Sequence, residues 1–211
     1  MKIYDFQLGQ LGTNTYLIFP ENSDSAILVD CPYEAAEVIP HYLKQAGRKL
    51  EAILLTHGHW DHIWDTAELA KTTGAKVYAS KFGNHLIEDA DFQREVLFAS
   101  DGLESAKIDV KISDGDALDI AGVKIKCIEA FGHSPDSIVY YIESAEVAFV
   151  GDVLFAGSIG RTDLWEGNYA QLEKAIKSKL YKLPDNTRVL NGHGPETSIG
   201  VEKKSNCFIR G

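Results

Sequence analysis

Short apolar runs and amphipathic segments alternate along this chain and predict a mixture of strands and helices. Apolar or alternating runs bounded by Gly, Asn and Ser predict strands at Lys2–Leu8, 15–19, 26–29, 51–55, 76–79, 123–130, 137–143, 147–150 and 188–190. Helical spacing predicts helices at 33–45, 63–73, 82–103, 168–180 and Ile199–Ser205. Blocks of strands at both ends, each followed by helices, predict an α/β fold of stacked sheets covered outside by helices.

The length and composition favour a single globular domain that spans residues 1–211. No repeat, low-complexity tract or linker marks a boundary, and 45% of the residues are hydrophobic. The 31 acidic residues outnumber the 21 basic ones, which gives a formal net charge of −10. Because contacts to nucleic-acid phosphates need clustered Lys and Arg, this balance argues against a nucleic-acid partner.

The chain shows no sign of a membrane segment or of export. No apolar run approaches the roughly 18 residues that a transmembrane helix needs, and the first six residues lack the apolar core of a secretory signal. Cys31, Cys127 and Cys207 are odd in number and far apart, which does not fit a disulfide framework. We therefore expect a cytoplasmic protein without a membrane partner; the sequence does not indicate its oligomeric state.

Three of the seven histidines fall within six positions, directly after a predicted apolar strand. In extended backbone, side chains two residues apart point to the same side, so His57 and His59 can converge on one ion. Asp61 and His62 point elsewhere and suit a second ion beside the first. The alternative is a polar loop whose histidines titrate in solvent.

Three further residues that can bind metal follow predicted strands downstream, each beside a glycine: His133, Asp152 and His193. Glycine lets the backbone turn sharply at such a strand end. Taken singly, each of the three is an ordinary loop residue. With the histidine cluster they make a set of five histidines and two aspartates, enough for two ions that share a carboxylate and a water.

These residues, preceded by Leu28, Val29 and Asp30, resemble the ordered motifs of the metallo-β-lactamase superfamily over nearly the whole chain. The resemblance implies an αβ/βα sandwich of four layers, in which two sheets lie face to face with helices outside. It also implies that Asp30 orients the histidine loop from behind. The alternative for Asp30 is a cap on the helix that begins near Tyr33.

The resemblance also implies a complete set of metal ligands for two divalent ions. One ion would be held by His57, His59 and His133, and the other by Asp61, His62 and His193, with Asp152 bridging both. Imidazole and carboxylate ligands accept zinc, which we expect here, and also iron or manganese. Asp61 is the expected catalytic residue, because its carboxylate can orient the attacking water as well as bind metal.

Short sequence motifs at residues 151–155, 160–163 and 192–197 resemble those of glyoxalase II-type hydrolases, in particular the short bacterial members. This resemblance implies hydrolysis of a small-molecule thioester such as S-lactoylglutathione. Two residues depart from the family pattern, because Asp136 stands where a glycine is expected and Cys207 where a proline is expected. Only 18 residues follow His193, where full-length glyoxalase II carries a helical segment that grips glutathione, so the thiol carrier stays open.

At this point several residues, and the function of the protein, have more than one interpretation. Trp60 either packs beneath the histidine loop or edges the substrate mouth, and Arg161 and Asp163 either line the site or form a simple ion pair. His41 and His85 are expected at the surface. The alternatives to a thioesterase are a persulfide dioxygenase with one iron, a lactonase, and a metal-binding protein without catalysis.

Overall fold

The computed structural model describes residues 1–97 and 99–211, which contain two six-stranded sheets. In chain order the strands are β1 (Lys2–Leu8), β2 (Thr13–Phe19), β3 (Ser25–Val29), β4 (Lys49–Leu54), β5 (Lys76–Ser80), β6 (Val110–Ile112), β7 (Ala117–Ile120), β8 (Val123–Glu129), β9 (Ile138–Ile142), β10 (Val147–Gly151), β11 (Leu154–Phe155), β12 (Ser158–Ile159), β13 (Arg188–Asn191) and β14 (Thr197–Ser198). The first sheet has the order β1-β2-β3-β4-β5-β6 and the second β14-β13-β10-β9-β8-β7. Strands β11 and β12 form a separate hairpin.

The helices are α1 (Ala35–Ala46), α2 (Trp60–Ile63), α3 (Thr66–Thr73), α4 (Asn84–Ile87), α5 (Ala90–Leu97), α6 (Tyr169–Ser178) and α7 (Ile199–Ser205), with 3-10 turns at Glu143–Ala145 and Leu180–Lys182. Local sequence sets several of their ends. Helix α1 ends at Gly47, whose φ of 63° is a left-handed conformation that glycine adopts without strain. Helix α6 begins after Asn168, whose side chain accepts a hydrogen bond from the Gln171 N–H.

Alternation along the strands divides the buried side chains among three apolar layers. In β9, Ile138, Tyr140 and Ile142 face the other sheet, while Val139 and Tyr141 face the outer helices. Strands β2 and β10 alternate in the same way, because successive side chains of a strand point to opposite faces. One layer therefore lies between the sheets and one lies under the helices on each outer face. This confirms the predicted αβ/βα sandwich of four layers.

The parallel pairings bring particular strand ends to one edge of the sandwich. Strands β3, β4 and β5 run parallel, so Asp30 and His57 follow neighbouring strands at the same edge of the first sheet. Strands β10 and β13 are also parallel and deliver Asp152 and His193 side by side from the second sheet. The residues singled out in the sequence thus come from both sheets and meet at one end.

Most predicted elements are present, but two predicted helices are wrong in extent. The helix predicted at 63–73 is two helices, α2 and α3, separated at Trp64 and Asp65. The helix predicted at 82–103 contains only α4 and α5, because Asp89 accepts a hydrogen bond from the Phe92 N–H and starts a new helix. Residue 98 of that prediction lies outside the described residues.

The structure also bears on two expectations drawn from composition. None of the helices in the two described ranges is long and apolar enough to cross a membrane. Cys31 and Cys127 are buried and Cys207 is exposed, and all three thiols are free. That residues 1–211 form one domain stays a prediction.

Candidate metal centre

The histidine loop changes conformation within its six residues. It follows β4 in extended form through His59, whose φ and ψ are −65° and 142°. Helix α2 begins at the next residue, so Asp61 and His62 lie on a single helical turn. His57, His59 and His62 are 2%, 5% and 0% exposed. These three histidines therefore do not titrate in open solvent, which excludes the polar-loop alternative.

Three ring nitrogens from two segments converge on one point. His59 Nδ1 lies 3.1 Å from His57 Nε2 and 2.9 Å from His133 Nε2. Neutral imidazole has one N–H and one lone pair, so three facing nitrogens cannot all be paired with one another by hydrogen bonds. A cation among them satisfies all three lone pairs, and three histidines are a common ligand set for zinc.

Asp61 and Asp152 join the remaining histidines into a second group. Asp61 Oδ2 lies 3.2 Å from His193 Nε2 and 3.5 Å from His62 Nε2. Asp152 Oδ1 lies 3.3 Å from His62 Nε2. Its other oxygen, Oδ2, lies 3.5 Å from His193 Nε2 and 3.7 Å from His133 Nε2. The Asp152 carboxylate therefore contacts histidines of both predicted ion sites.

Hydrogen bonds to the outward nitrogens fix the rings of two histidines. His62 Nδ1 lies 2.8 Å from Asp30 Oδ2, and His133 Nδ1 lies 2.8 Å from the main-chain oxygen of Arg161. Each of these Nδ1 atoms faces an acceptor and carries the proton, so the Nε2 atom presents its lone pair to the cluster.

Asp30 lies directly behind the loop and uses both carboxylate oxygens there. Oδ1 accepts the Thr56 N–H at 2.7 Å and Oδ2 accepts the Thr56 hydroxyl at 2.8 Å. The Thr56 oxygen in turn lies 3.1 Å from His57 Nδ1. The capping alternative for Asp30 is wrong, because Glu34 occupies the N-cap position of α1.

The residues present fit a divalent metal. His62 Nε2 and Asp152 Oδ1 are buried without a hydrogen-bond partner among the described residues, a costly state that a bound cation relieves. A Cβ at Gly192 would stand 2.1 Å from Asp152 Oδ1 and 2.6 Å from His62 Cε1. Only glycine leaves this side of the cluster open.

The protonation states of His57, His59 and Asp152 suit ligands that carry a lone pair. Burial, with the charge of neighbouring histidines, lowers the pKa of His57 well below its usual value and that of His59 to about 3. Burial opposes ionisation of Asp152, but nearby histidines led by His62 outweigh it and lower the pKa of Asp152. His62 differs: burial acts to lower its pKa, yet the carboxylates of Asp61 and Asp152 raise it well above the usual value.

Three polar residues beside the loop were not found from the sequence. The Thr13 hydroxyl donates to Asp61 Oδ2 at 3.3 Å, and Gln93 Nε2 donates to the Gly58 main-chain oxygen at 2.6 Å. Asp136 is fully buried with its Oδ2 against Gly58. Thr13 and Gln93 are ordinary polar residues that reach the loop only through the fold, so no motif could have identified them. Asp136 stood out in the sequence only as a departure from the family pattern, which gave no indication of its contact with the loop.

Gly58 explains why the loop can be enclosed so tightly. A Cβ at this position would lie 2.5 Å from the Leu86 Cβ and 3.0 Å from Asp136 Oδ2. Any larger residue would push the two flanking histidines away from helix α4.

Of the other predicted residues, only Trp60 lies beside the histidine loop, and the remaining four are at the surface. Trp60 is half-buried beside the loop and lines a cavity next to Asp61. The side chains of Arg161 and Asp163 are exposed and paired with each other at 2.7 and 2.8 Å, which is the geometry of the simple ion pair. His41 and His85 are exposed, as predicted.

Comparison with known proteins identifies relatives of full length. The chain is 35% identical over 211 residues to the "Probable metallo-hydrolase YqgX" of Bacillus subtilis, covering 100% of this chain and 99% of the relative. It is 32% identical over 197 residues to the "Hydroxyacylglutathione hydrolase GloC" of Haemophilus influenzae, covering 93% of this chain and 92% of that protein.

Solved structures that are similar to this chain over nearly its whole length belong to the same kind of protein fold. The crystal structure of the BLEG-1 B3 metallo-beta-lactamase is similar with a TM-score of 0.91 and 34% identity, over 100% of both chains. The TTHA1623 protein, crystallised in a di-iron-bound form, has a TM-score of 0.84 and 31% identity, over 98% of this chain and 100% of its own. The family model of the metallo-beta-lactamase superfamily matches residues 8–193. The chain therefore belongs to the metallo-beta-lactamase superfamily.

Proposed function

We propose that this protein is a metal-dependent hydrolase of acyl thioesters, a class that includes S-lactoylglutathione. The observation that carries the proposal is the convergence of five histidines and two aspartates from both sheets, with Asp152 in contact with both groups. The similarity to a hydroxyacylglutathione hydrolase supports the substrate class.

In this proposal each ion has its own protein ligands. His57, His59 and His133 hold one divalent ion, since their nitrogens lie within reach of a common point. Asp61, His62 and His193 hold the other, and Asp152 serves both. Zinc suits these ligands, and iron or manganese accepts the same set.

The substrate approaches from the side of His193 and Asp61. The His193 side chain is 28% exposed and that of Asp61 12%, whereas His62 is fully buried behind them. Divalent ions in this position supply a water of lowered pKa and a Lewis acid that polarises a carbonyl oxygen. The Asp61 carboxylate accepts the hydrogen bond that aims the attacking water, and the Thr13 hydroxyl donates to its Oδ2 and holds that carboxylate in place.

The test is metal analysis of the purified protein combined with a panel of thioesters, lactones, persulfides and a β-lactam. We expect about two ions per chain and turnover confined to the thioesters. Turnover of a lactone or a β-lactam in place of thioesters would overturn the substrate class. Failure to bind any divalent ion would overturn the proposal as a whole.

A second candidate is the persulfide dioxygenase with a single iron. His57, His62 and Asp152 have ligand atoms within 4.8 Å of one another, and two histidines with one carboxylate are a common set for non-haem iron. One iron per chain under metal excess, with oxygen consumed on glutathione persulfide, would favour this candidate over the hydrolase.

A further inference from the structure

A cavity of about 410 Å³ opens beside Asp61, on the exposed side of the cluster. We call it the aromatic pocket, and it is formed by the turn between β1 and β2, the segment before α1, helix α2 with the residue that follows it, and Ser100. The residues that matter here are Gln10, Leu11, Thr13, Tyr33, Trp60 and Trp64. Its volume is within the range of pockets that hold small ligands.

Three aromatic rings build the walls. Trp64 stands edge-to-face with Trp60 at 6.1 Å and with Tyr33 at 6.0 Å between ring centroids. Such pairs hold one another in a fixed orientation. The pocket thus has a preformed aromatic wall beside polar groups of Gln10, Thr13 and Ser100. Tyr33 and Leu11 at its rim are 51% and 55% exposed.

The pocket is continuous with the candidate metal centre through one residue. Asp61 is part of the pocket lining, and its Oδ2 also lies 3.2 Å from His193 Nε2. Thr13, on the opposite wall, donates to the same oxygen. A molecule with its carbonyl group at the centre therefore extends its next group into this pocket.

The charged side chains around the pocket restrict which substrate group can enter it. Within the part of the chain that the structure describes, Asp61 is the only charged side chain of the lining, and no Lys or Arg contributes to it. Glu34 adds a second negative charge close by, where it accepts the Gly9 N–H at 3.1 Å. A carboxylate placed in this pocket would have no cationic partner and would lose part of its hydration.

We propose that the aromatic pocket receives an uncharged apolar group of the substrate, aromatic or alkyl, attached directly beside the scissile bond. This inference rests on the proposed thioesterase function and narrows it. The preferred substrates are then thioesters with an apolar group on one side of the bond. Glutathione, with two carboxylates, is a poor occupant of this pocket.

Kinetics on matched thioesters test the inference. Phenylacetyl and acetyl thioesters of N-acetylcysteamine vary the acyl side, and acetyl thioesters of benzyl mercaptan and glutathione vary the thiol side. We expect kcat/KM to be at least about tenfold higher for the apolar member of one pair, which also identifies the side that enters the pocket. Equal kcat/KM within both pairs would overturn the inference.

A second experiment places a positive or a negative charge at Leu11 and uses Val201 as the matched control position. Val201 is 52% exposed on α7 and lies outside the pocket lining. Leu11→Lys should raise kcat/KM for the glutathione thioester severalfold relative to the uncharged one, Leu11→Glu should lower it, and added salt should reduce both effects. Val201→Lys should change neither ratio. A Leu11→Lys enzyme that behaves like Val201→Lys would contradict the pocket assignment.

Binding without turnover separates this inference from the proposed function. Two of the three tryptophans line the pocket, so in a Trp165→Phe background fluorescence reports on Trp60 and Trp64. S-benzyl-N-acetylcysteamine should quench it at lower concentration than S-methyl-N-acetylcysteamine, which lacks the ring, in metal-free as well as in metal-loaded protein. Equal quenching by both would overturn the pocket inference. Failure to turn over any thioester, with selective quenching retained, would overturn only the thioesterase proposal.

Discussion

The histidine loop, residues 57–62, and the aromatic pocket share Asp61 but are held in opposite ways. The loop is enclosed: His57 and His62 each have the ring nitrogen that points away from the cluster against an oxygen of the protein. The pocket rim is open, with Leu11 and Tyr33 about half exposed. The residues proposed for the chemistry thus lie on an enclosed scaffold, and those proposed for substrate choice lie on a surface that can change without disturbing it.

The largest effect is expected at Asp152, whose carboxylate contacts both groups of histidines. Asp152→Asn keeps the size but removes the negative charge that contacts both histidine groups. One ion should be lost, and kcat should fall by about a hundredfold or more. Metal analysis and kinetics measure this against Asp163→Asn, an exposed carboxylate that should keep two ions. Two ions and near-normal kcat in Asp152→Asn would contradict the bridging role.

A pH-dependent loss of stability is expected from the carboxyl group behind the loop. Burial raises the pKa of Asp136 from 3.8 to about 6. The folded protein therefore binds this proton more tightly, and its free energy of unfolding falls as pH rises from about 4 to 6. A shift of about two units corresponds to about 3 kcal/mol.

The Asp136→Asn variant should not lose this stability. We expect the difference in unfolding free energy between wild type and Asp136→Asn to change by about 2–3 kcal/mol between pH 4 and pH 8. Urea denaturation with a chelator present checks it, because the histidine cluster titrates equally in both proteins. The exposed Asp119→Asn serves as control, and a pH-independent difference for Asp136→Asn would refute the prediction.

A smaller effect is expected behind the loop at Asp30. Asp30→Asn places an NH2 group either at the Oδ1 position, against the Thr56 N–H, or at the Oδ2 position, against the Thr56 hydroxyl and the His62 Nδ1–H. In either orientation at least one hydrogen bond is replaced by two facing donors. Metal affinity should fall by about 10- to 100-fold. Competition with a chromophoric chelator measures this affinity. Asp109→Asn, which affects an exposed ion pair with Lys107 and a contact to the Val77 N–H, should retain wild-type affinity.

The smallest effect is expected at the pocket rim. Because Leu11 is 55% exposed, Leu11→Ser should change the free energy of unfolding by less than about 0.5 kcal/mol. Denaturation beside Val201→Ser checks this. A loss above about 1.5 kcal/mol would show that the rim supports the fold, and the contrast between the two regions would then be wrong.

Much of this protein follows from local sequence. Alternating and apolar runs predicted most of the strands, since the period of two is a property of the strand itself. The helix at Ile199–Ser205 was predicted with the bounds that the structure has. The helices at 63–73 and 82–103 were wrong in extent. Asp65 is bound to distant residues, because its N–H donates to the Cys31 oxygen and its carboxylate accepts the Ala36 N–H, while Asp89 accepts the Phe92 N–H at the start of α5. Periodicity reveals neither set of hydrogen bonds.

The sequence by itself determined which residues can bind metal. Histidine and aspartate at successive strand ends are a local pattern, and the structure brings all seven together. Only the tertiary structure decided what surrounds them: Gln93 and Asp136 behind Gly58, Thr13 against Asp61, and Tyr33 beside Trp64. These contacts join segments far apart in the chain, and they exist only because parallel strands and stacked sheets bring those segments to one edge.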